Sequence, residues 1–171
     1  ESNVRLQPLK KLSSEGPSEE VVSLILWSVN RWHGPISRLM RTASPPRMVK
    51  TIRPGRPSSE VPMPADETIA RAFSTNPAIV RVPPTGDRWP YIRAAVSMGN
   101  ALILLPTSSE VEIVTSRLKR LGINAGEYNK DWSVGLSGGT VVGNRSAAFA
   151  SIKDLAAILM IDEHDESFQE E

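Results

Sequence analysis

Three groups of residues in this chain are of a type and spacing that could do chemistry. The first is the turn Thr85-Gly86-Asp87-Arg88, set between an apolar β-prone run, Ala78 to Val82, and a helical pattern from about Trp89 to Met98. A glycine-bearing turn between strand and helix can aim backbone amides at phosphate oxygens. A working phosphate loop also needs a lysine for the β and γ phosphates and a Ser/Thr hydroxyl for magnesium. This turn has neither, and Asp87 adds negative charge where phosphate would sit. The second group is Asp162, Glu163, His164 and Asp165, which ends the apolar run Leu155 to Ile161. The third is a basic stripe: Arg31, Arg38, Arg41, Arg47, Lys50, Arg53 and Arg56 occur with no acid among them. Lys and Arg contacts to phosphate give sequence-independent affinity by releasing counterions, so such a stripe suits nucleic acid; alternatively it solubilises a linker.

These groups need a framework to hold them. Ser18 precedes Glu19, Glu20 and a face of Val22, Ile25, Leu26, Val29 and Trp32, which predicts a capped helix ending at Gly34. Pro35 suits the first turn of a second helix with Ile36, Leu39 and Met40 inward. Six prolines between Ser44 and Pro64 predict an irregular linker. Beyond it, helix and strand alternate: a helix at Asp66 to Ser74, strands at Ala78 to Val82 and Ala101 to Leu105, and a helix capped by Ser109 with Glu112 and stopped by Gly122. Strands are further expected at Ile123 to Tyr128, Thr140 to Val142 and Ala156 to Ile161. Apolar strands separated by helices predict a parallel sheet with helices on both faces, with ligands at the strands' carboxyl ends. The expected division is 1–46, a helical DNA-binding module; 47–65, a proline-rich basic linker; and 66–171, an α/β lobe.

Composition excludes several classes. At 171 residues, 40% apolar and 23% charged, the chain is of globular type. Its longest apolar run is far short of the ~20 residues a membrane helix needs, and no signal segment begins at Glu1, so a cytoplasmic location is expected. There is no cysteine, hence no disulfide and no thiolate zinc site; two histidines are too few for a metal site of their own. The net charge of +1 conceals the basic stripe and a final acidic run of Asp162, Glu163, Asp165, Glu166, Glu170 and Glu171. The first residue, Glu1, and the abrupt acidic end suggest a fragment of a longer protein.

Several stretches resemble one family. Val141-Val-Gly-Asn-Arg-Ser-Ala-Ala-Phe-Ala150 is similar to the "VVGTRSALFAP" segment of the bacterial primosomal replication-restart helicases. Ala101-Leu-Ile-Leu-Leu-Pro106 resembles the strand and proline that follow their phosphate loop. Asp162-Glu-His-Asp165 resembles a DExD/H box, with Ser167-Phe-Gln169 similar to "HDSSYKQ". Ser37-Arg-Leu-Met-Arg41 leading to Ala43-Ser-Pro-Pro46 is similar to "GEVLRLALPP" of the family's winged-helix segment. Against the family's "TGSGKTEVYLRA", Thr85 to Ala94 is two residues short, though Tyr91-Ile92-Arg93-Ala94 keeps the pattern.

The resemblance implies a winged-helix module followed by part of a RecA-like helicase lobe with a degenerate nucleotide site. ATP and magnesium serve intact members, where the Asp and Glu matched by Asp162 and Glu163 coordinate the metal and polarise water; no cofactor is expected in this chain. Intact members also have a second lobe, a further DNA-end-binding domain and zinc-binding cysteines. DNA contacts are implied for Arg38, Arg41, Arg47, Lys50, Arg53, Arg145 and Ser146, with forked DNA or single-strand/duplex junctions, primosome proteins and single-strand-binding proteins as partners. The function implied is DNA binding at stalled forks to reload the replicative helicase, without motor activity; the alternatives are an active ATP-dependent 3′-5′ helicase and a winged-helix regulator with an α/β ligand domain. The tryptophans Trp27, Trp32, Trp89 and Trp132 could stack on bases but are expected to pack, Trp89 filling the vacated phosphate pocket.

Overall fold

The computed structural model describes residues 11–56, 58–75 and 77–169. The first ten residues of the expected amino-terminal module, Pro57 of the linker, and Glu170 and Glu171 of the acidic run lie outside the described residues. The described chain is an α/β fold: a four-stranded parallel sheet flanked by helices, with a helical segment ahead of it. In chain order the elements are α1 (Glu19–Trp32), α2 (Ile36–Ala43), α3 (Glu67–Ser74), α4 (Trp89–Ser97), β1 (Asn100–Leu104), α5 (Ser108–Arg120), β2 (Ala125–Glu127), β3 (Thr140–Gly143) and β4 (Leu155–Met160). Short 3₁₀ turns occur at Trp132–Val134, Arg145–Phe149 and Glu166–Phe168. The strand order is β2-β3-β1-β4.

β1 shows why its sequence carries no polar alternation. Ala101 and Ile103 face a core built with Ile92, Ala95 and Val96 of α4 and Val111, Val114 and Leu118 of α5. Leu102 and Leu104 face the opposite side, where Val141, Tyr128, Trp132 and Ala147 meet them. Burial on both faces demands apolar residues throughout. The second face is covered by 3₁₀ turns, the chain around Val49 and α2, whose Thr42 and Ala43 carbonyls accept from Tyr128 and Trp132.

α5 begins two residues earlier than the Ser109/Glu112 pair suggests. Thr107 is the N-cap, and its hydroxyl and the Glu110 carboxylate satisfy each other's backbone amides. Both Thr107/Glu110 and Ser109/Glu112 have capping-box spacing, and the earlier pair adds two residues to the helix. Its buried face is Val111, Val114 and Leu118 as expected, while Leu121 is exposed.

α1 is capped by Ser18, whose side chain accepts from the Val21 amide. Its buried face is turned from the expected one: Val21, Ile25 and Ser28 are buried, with Leu26 and Trp32 exposed. α2 turns Leu39, Met40 and Ala43 inward, but Ile36 is exposed. The cause is limited cover: among the described residues α1 packs mainly against α2 and Phe149, so one narrow stripe is buried. Among the described residues from 44 to 66 there is neither helix nor strand. This segment is a strap rather than a free tether. The Gly55 amide donates to Ser137 O at 2.8 Å, Ser59 N to Gly122 O at 3.0 Å, and Asn124 N to Ser58 Oγ at 3.0 Å. Gly55 comes so close to Asn124 and Ser137 that any Cβ would collide with them.

The expected strand at 78–82 does not form. Its residues pair with no strand, and Ile79 is 89% exposed. β-propensity expresses packing on a neighbouring strand, and here none lies beside it.

Candidate functional site

The loop from Pro83 to Trp89 connects residues 77–82 to α4. Gly86 closes its turn through a hydrogen bond to Pro83 O at 2.8 Å, so tightly that a Cβ would meet Val82. Thr85 and Asp87 are exposed, whereas Gly86 and Arg88 are half-buried. The Arg88 guanidinium reaches back into the loop. Nη1 donates to Gly86 O at 2.8 Å, Pro84 O at 3.0 Å and Pro83 O at 3.3 Å, while Nη2 donates to Asp162 Oδ1 at 3.1 Å. Asp87 Oδ1 accepts the Trp89 amide at 2.9 Å and caps the start of α4.

This donor set does not fit a nucleotide triphosphate. A phosphate cradle presents amides and an ammonium to an anion; this loop presents carbonyls to a cation, and a carboxylate stands at the helix start. Pro90 brings no amide to the first turn. Trp89 does not fill the loop as expected. It packs on the core beside α5, with the Arg117 guanidinium 3.8 Å from its ring centroid. Arg88 fills the loop instead, a role its charge makes possible but its spacing does not reveal.

At the carboxyl end of β4, Asp162 is tied to Arg88 and has a left-handed backbone (φ 51), which aspartate tolerates better than most residues. Glu163 and His164 are exposed and lie 3.9 Å apart. Asp165 caps the turn Glu166–Phe168 by accepting the Ser167 amide, and that bond holds its carboxyl below the usual range. The four residues therefore diverge: one ion-paired, two in solvent, one capping. Among the described residues no three acids or histidines converge as a metal site would require.

The residues expected at DNA fall into two groups. α2 packs against the turn Arg145–Phe149 at the carboxyl end of β3, through Leu39, Met40 and Phe149. That packing brings exposed Arg38 and Arg41 of α2 to the element bearing Arg145 and Ser146. Arg145 donates to Gln169 O, and Ser146 Oγ donates to Asn144 Oδ1 at 2.9 Å. Two buried side chains fix α2 in place: Tyr128 donates to Thr42 O at 2.7 Å and Trp132 Nε1 donates to Ala43 O at 2.8 Å. Arg47, Lys50 and Arg53 are exposed on the strap, which runs past the amino ends of β2 and β3. Among the described residues, no acid lies within ion-pair distance of Arg38, Arg41, Arg47, Lys50 or Arg53.

Sequence reasoning missed Lys119 and Lys130. They line a cleft of about 750 Å³ with Arg47 and Trp132, but each is held by an acid, Asp131 and Glu127 respectively. Seventy or more positions from Arg47, they carry no local signal. Trp132 packs, as expected, but Trp27 and Trp32 stand 57% and 64% exposed in an edge-to-face pair. No protein-family model and no curated protein matches this chain. Among the described residues no helix is long and apolar enough to cross a membrane.

Proposed function

We propose that this chain is a DNA-binding factor of replication restart, which engages stalled or abandoned forks and helps reload the replicative helicase without being a motor itself. The biology of this reading comes from the resemblance of Val141–Ala150, Asp162–Asp165 and Ser37–Pro46 to the primosomal helicases. The physical support comes from charge. Arg38 and Arg41 are exposed beside the turn bearing Arg145, with Arg47, Lys50 and Arg53 continuing along the strap. A polyanion gains affinity from such unpaired cations by counterion release, with no need to read bases.

The single observation that carries the non-motor part is the filled loop. Arg88 holds three loop carbonyls and Asp162 at once, so the residues matched to the family's two nucleotide motifs bind each other. Phosphate release from ATP, measured with and without forked DNA on the full-length protein, tests it. The expected result is no DNA-stimulated release; turnover that rises with fork concentration would overturn the reading and favour an active helicase.

A further inference from the structure

α1 buries one stripe, and the surface it turns outward carries two large aromatic side chains. Trp27 is 57% exposed and Trp32 64%, while Ile25 on the packed side is wholly buried. The two indoles meet edge to face, with ring centroids 5.2 Å apart and planes at 89°. That contact occupies the edge of one ring and a single face of the other. Two aromatic faces in different orientations are thus left to water.

The charge around the rings is of one sign. Arg31 follows Trp27 by four positions, the spacing that makes neighbours on a helix surface, and it is exposed. Arg38 and Arg41 of α2 are exposed as well. Among the described residues none of these arginines has an acid within ion-pair distance. No acid occurs in the sequence between Glu20 and Glu60, so α2 has none, and the turn Arg145–Phe149 that also packs on α1 has none. The acids of α1 itself, Glu19 and Glu20, sit in its first turn, about 10 Å along the axis from Trp27 at a rise of 1.5 Å per residue.

This combination selects among occupants. An apolar protein surface would use the rings but gain nothing from unpaired arginines. A duplex would use the arginines, but its bases are stacked on each other and closed to the rings. A single strand uses both: its unpaired bases stack on aromatic faces, and its phosphates meet the cations. Being flexible, it can also turn successive bases to rings set at right angles. We infer that Trp27 and Trp32 are a stacking platform for unpaired bases of single-stranded DNA, with Arg31 and Arg38 on the flanking phosphates. The inference rests on the proposed DNA-binding reading and adds to it that α1 takes the unpaired part of the fork.

Oligothymidylate and a duplex of equal length are the probes, each titrated into the full-length protein with anisotropy as the readout. Trp27→Ala with Trp32→Ala should weaken oligothymidylate roughly tenfold to a hundredfold, the loss of one or two stacked bases, and leave the duplex within about twofold. Trp27→Phe with Trp32→Phe keeps an aromatic face at each position and should recover most of the affinity. Arg31→Ala should lower the slope of log affinity against log salt by about 0.7, the share of one phosphate contact on a single strand. The rings are exposed, so the chain should fold without them, and a melting curve verifies it.

Equal losses on single strand and duplex would overturn the inference, since charge or folding would then explain them. Unchanged oligothymidylate affinity in the alanine pair overturns it too; if that pair also dissolves a dimer, the rings belong to a second copy. Duplex binding with no oligothymidylate binding overturns this inference alone. Binding of neither overturns the DNA-binding reading with it.

Discussion

Arg88 at the end of β4 and the arginine pair on α2 serve opposite ends of one electrostatic choice. Arg88 is 28% exposed as a side chain and is held by three carbonyls and the Asp162 carboxylate. Arg38 and Arg41 are exposed, with no acid within ion-pair distance among the described residues. The same guanidinium group thus closes one site and leaves another open. Cations satisfied internally hold the fold; cations left in water, next to one another, can meet a polyanion. On the proposed reading DNA contact falls to α2 and its neighbours and not to the loop, although the loop is where the family resemblance would place nucleotide chemistry.

The comparison breaks first on α2. Arg38→Glu with Arg41→Glu should lower affinity for forked DNA by roughly tenfold to a hundredfold at low salt, measured by anisotropy. The matching alanine pair should reduce the slope of log affinity against log salt by about 2, since each phosphate contact contributes about 0.9. Arg88→Ala is the contrasting variant. It should cost about 1–2 kcal/mol in urea unfolding, the value of charge-assisted hydrogen bonds discounted for solvent screening at a pair about one-third exposed. Fork affinity should stay within about twofold; a loss like that of the α2 pair would erase the distinction between the two regions.

Smaller effects sharpen the picture of how α2 is held. Tyr128→Phe removes the bond to Thr42 O and should cost about 1 kcal/mol, lowering Tm by about 2–4 °C. The phenol offers a pH test of the same contact. Burial, only partly offset by the neighbouring Trp132, pushes Tyr128 up to about 12 from its ordinary 10. The neutral phenol is thus favoured in the folded state: its stabilising contribution is complete below pH 10 and is lost as pH rises through 12. Ultraviolet titration of the phenolate in wild type and Tyr128→Phe should show one tyrosine ionising late in the former only.

What could be read in the sequence follows from how local the determinants are. Ser18 as a cap, the apolar run of β1, the α5 face at Val111, Val114 and Leu118, and the parallel α/β arrangement all rest on short-range pattern. No strand forms at 78–82 despite its β-prone sequence, because a strand is completed by its neighbour, and Ile79, Val80 and Val82 have none among the described residues. The buried face of α1 is not legible locally, because contact with α2 and Phe149 selects which of its apolar residues are covered. At the site, the missing lysine and hydroxyl are plain from Thr85 to Trp89. That Arg88 would turn back to Asp162, 74 positions away, depends on the path of the chain between them. The basic stripe was legible as charge, and so was its division between a second helix and the proline-rich linker; that α2 packs on the turn bearing Arg145 was not, because that contact joins residues about a hundred positions apart.

The most direct measurement is fluorescence anisotropy of a labelled fork titrated with the full-length protein, with and without ATP and magnesium. Salt-dependent binding that is the same with and without nucleotide is the predicted result. No affinity for the fork, or an affinity that shifts severalfold when ATP and magnesium are added, would contradict the account.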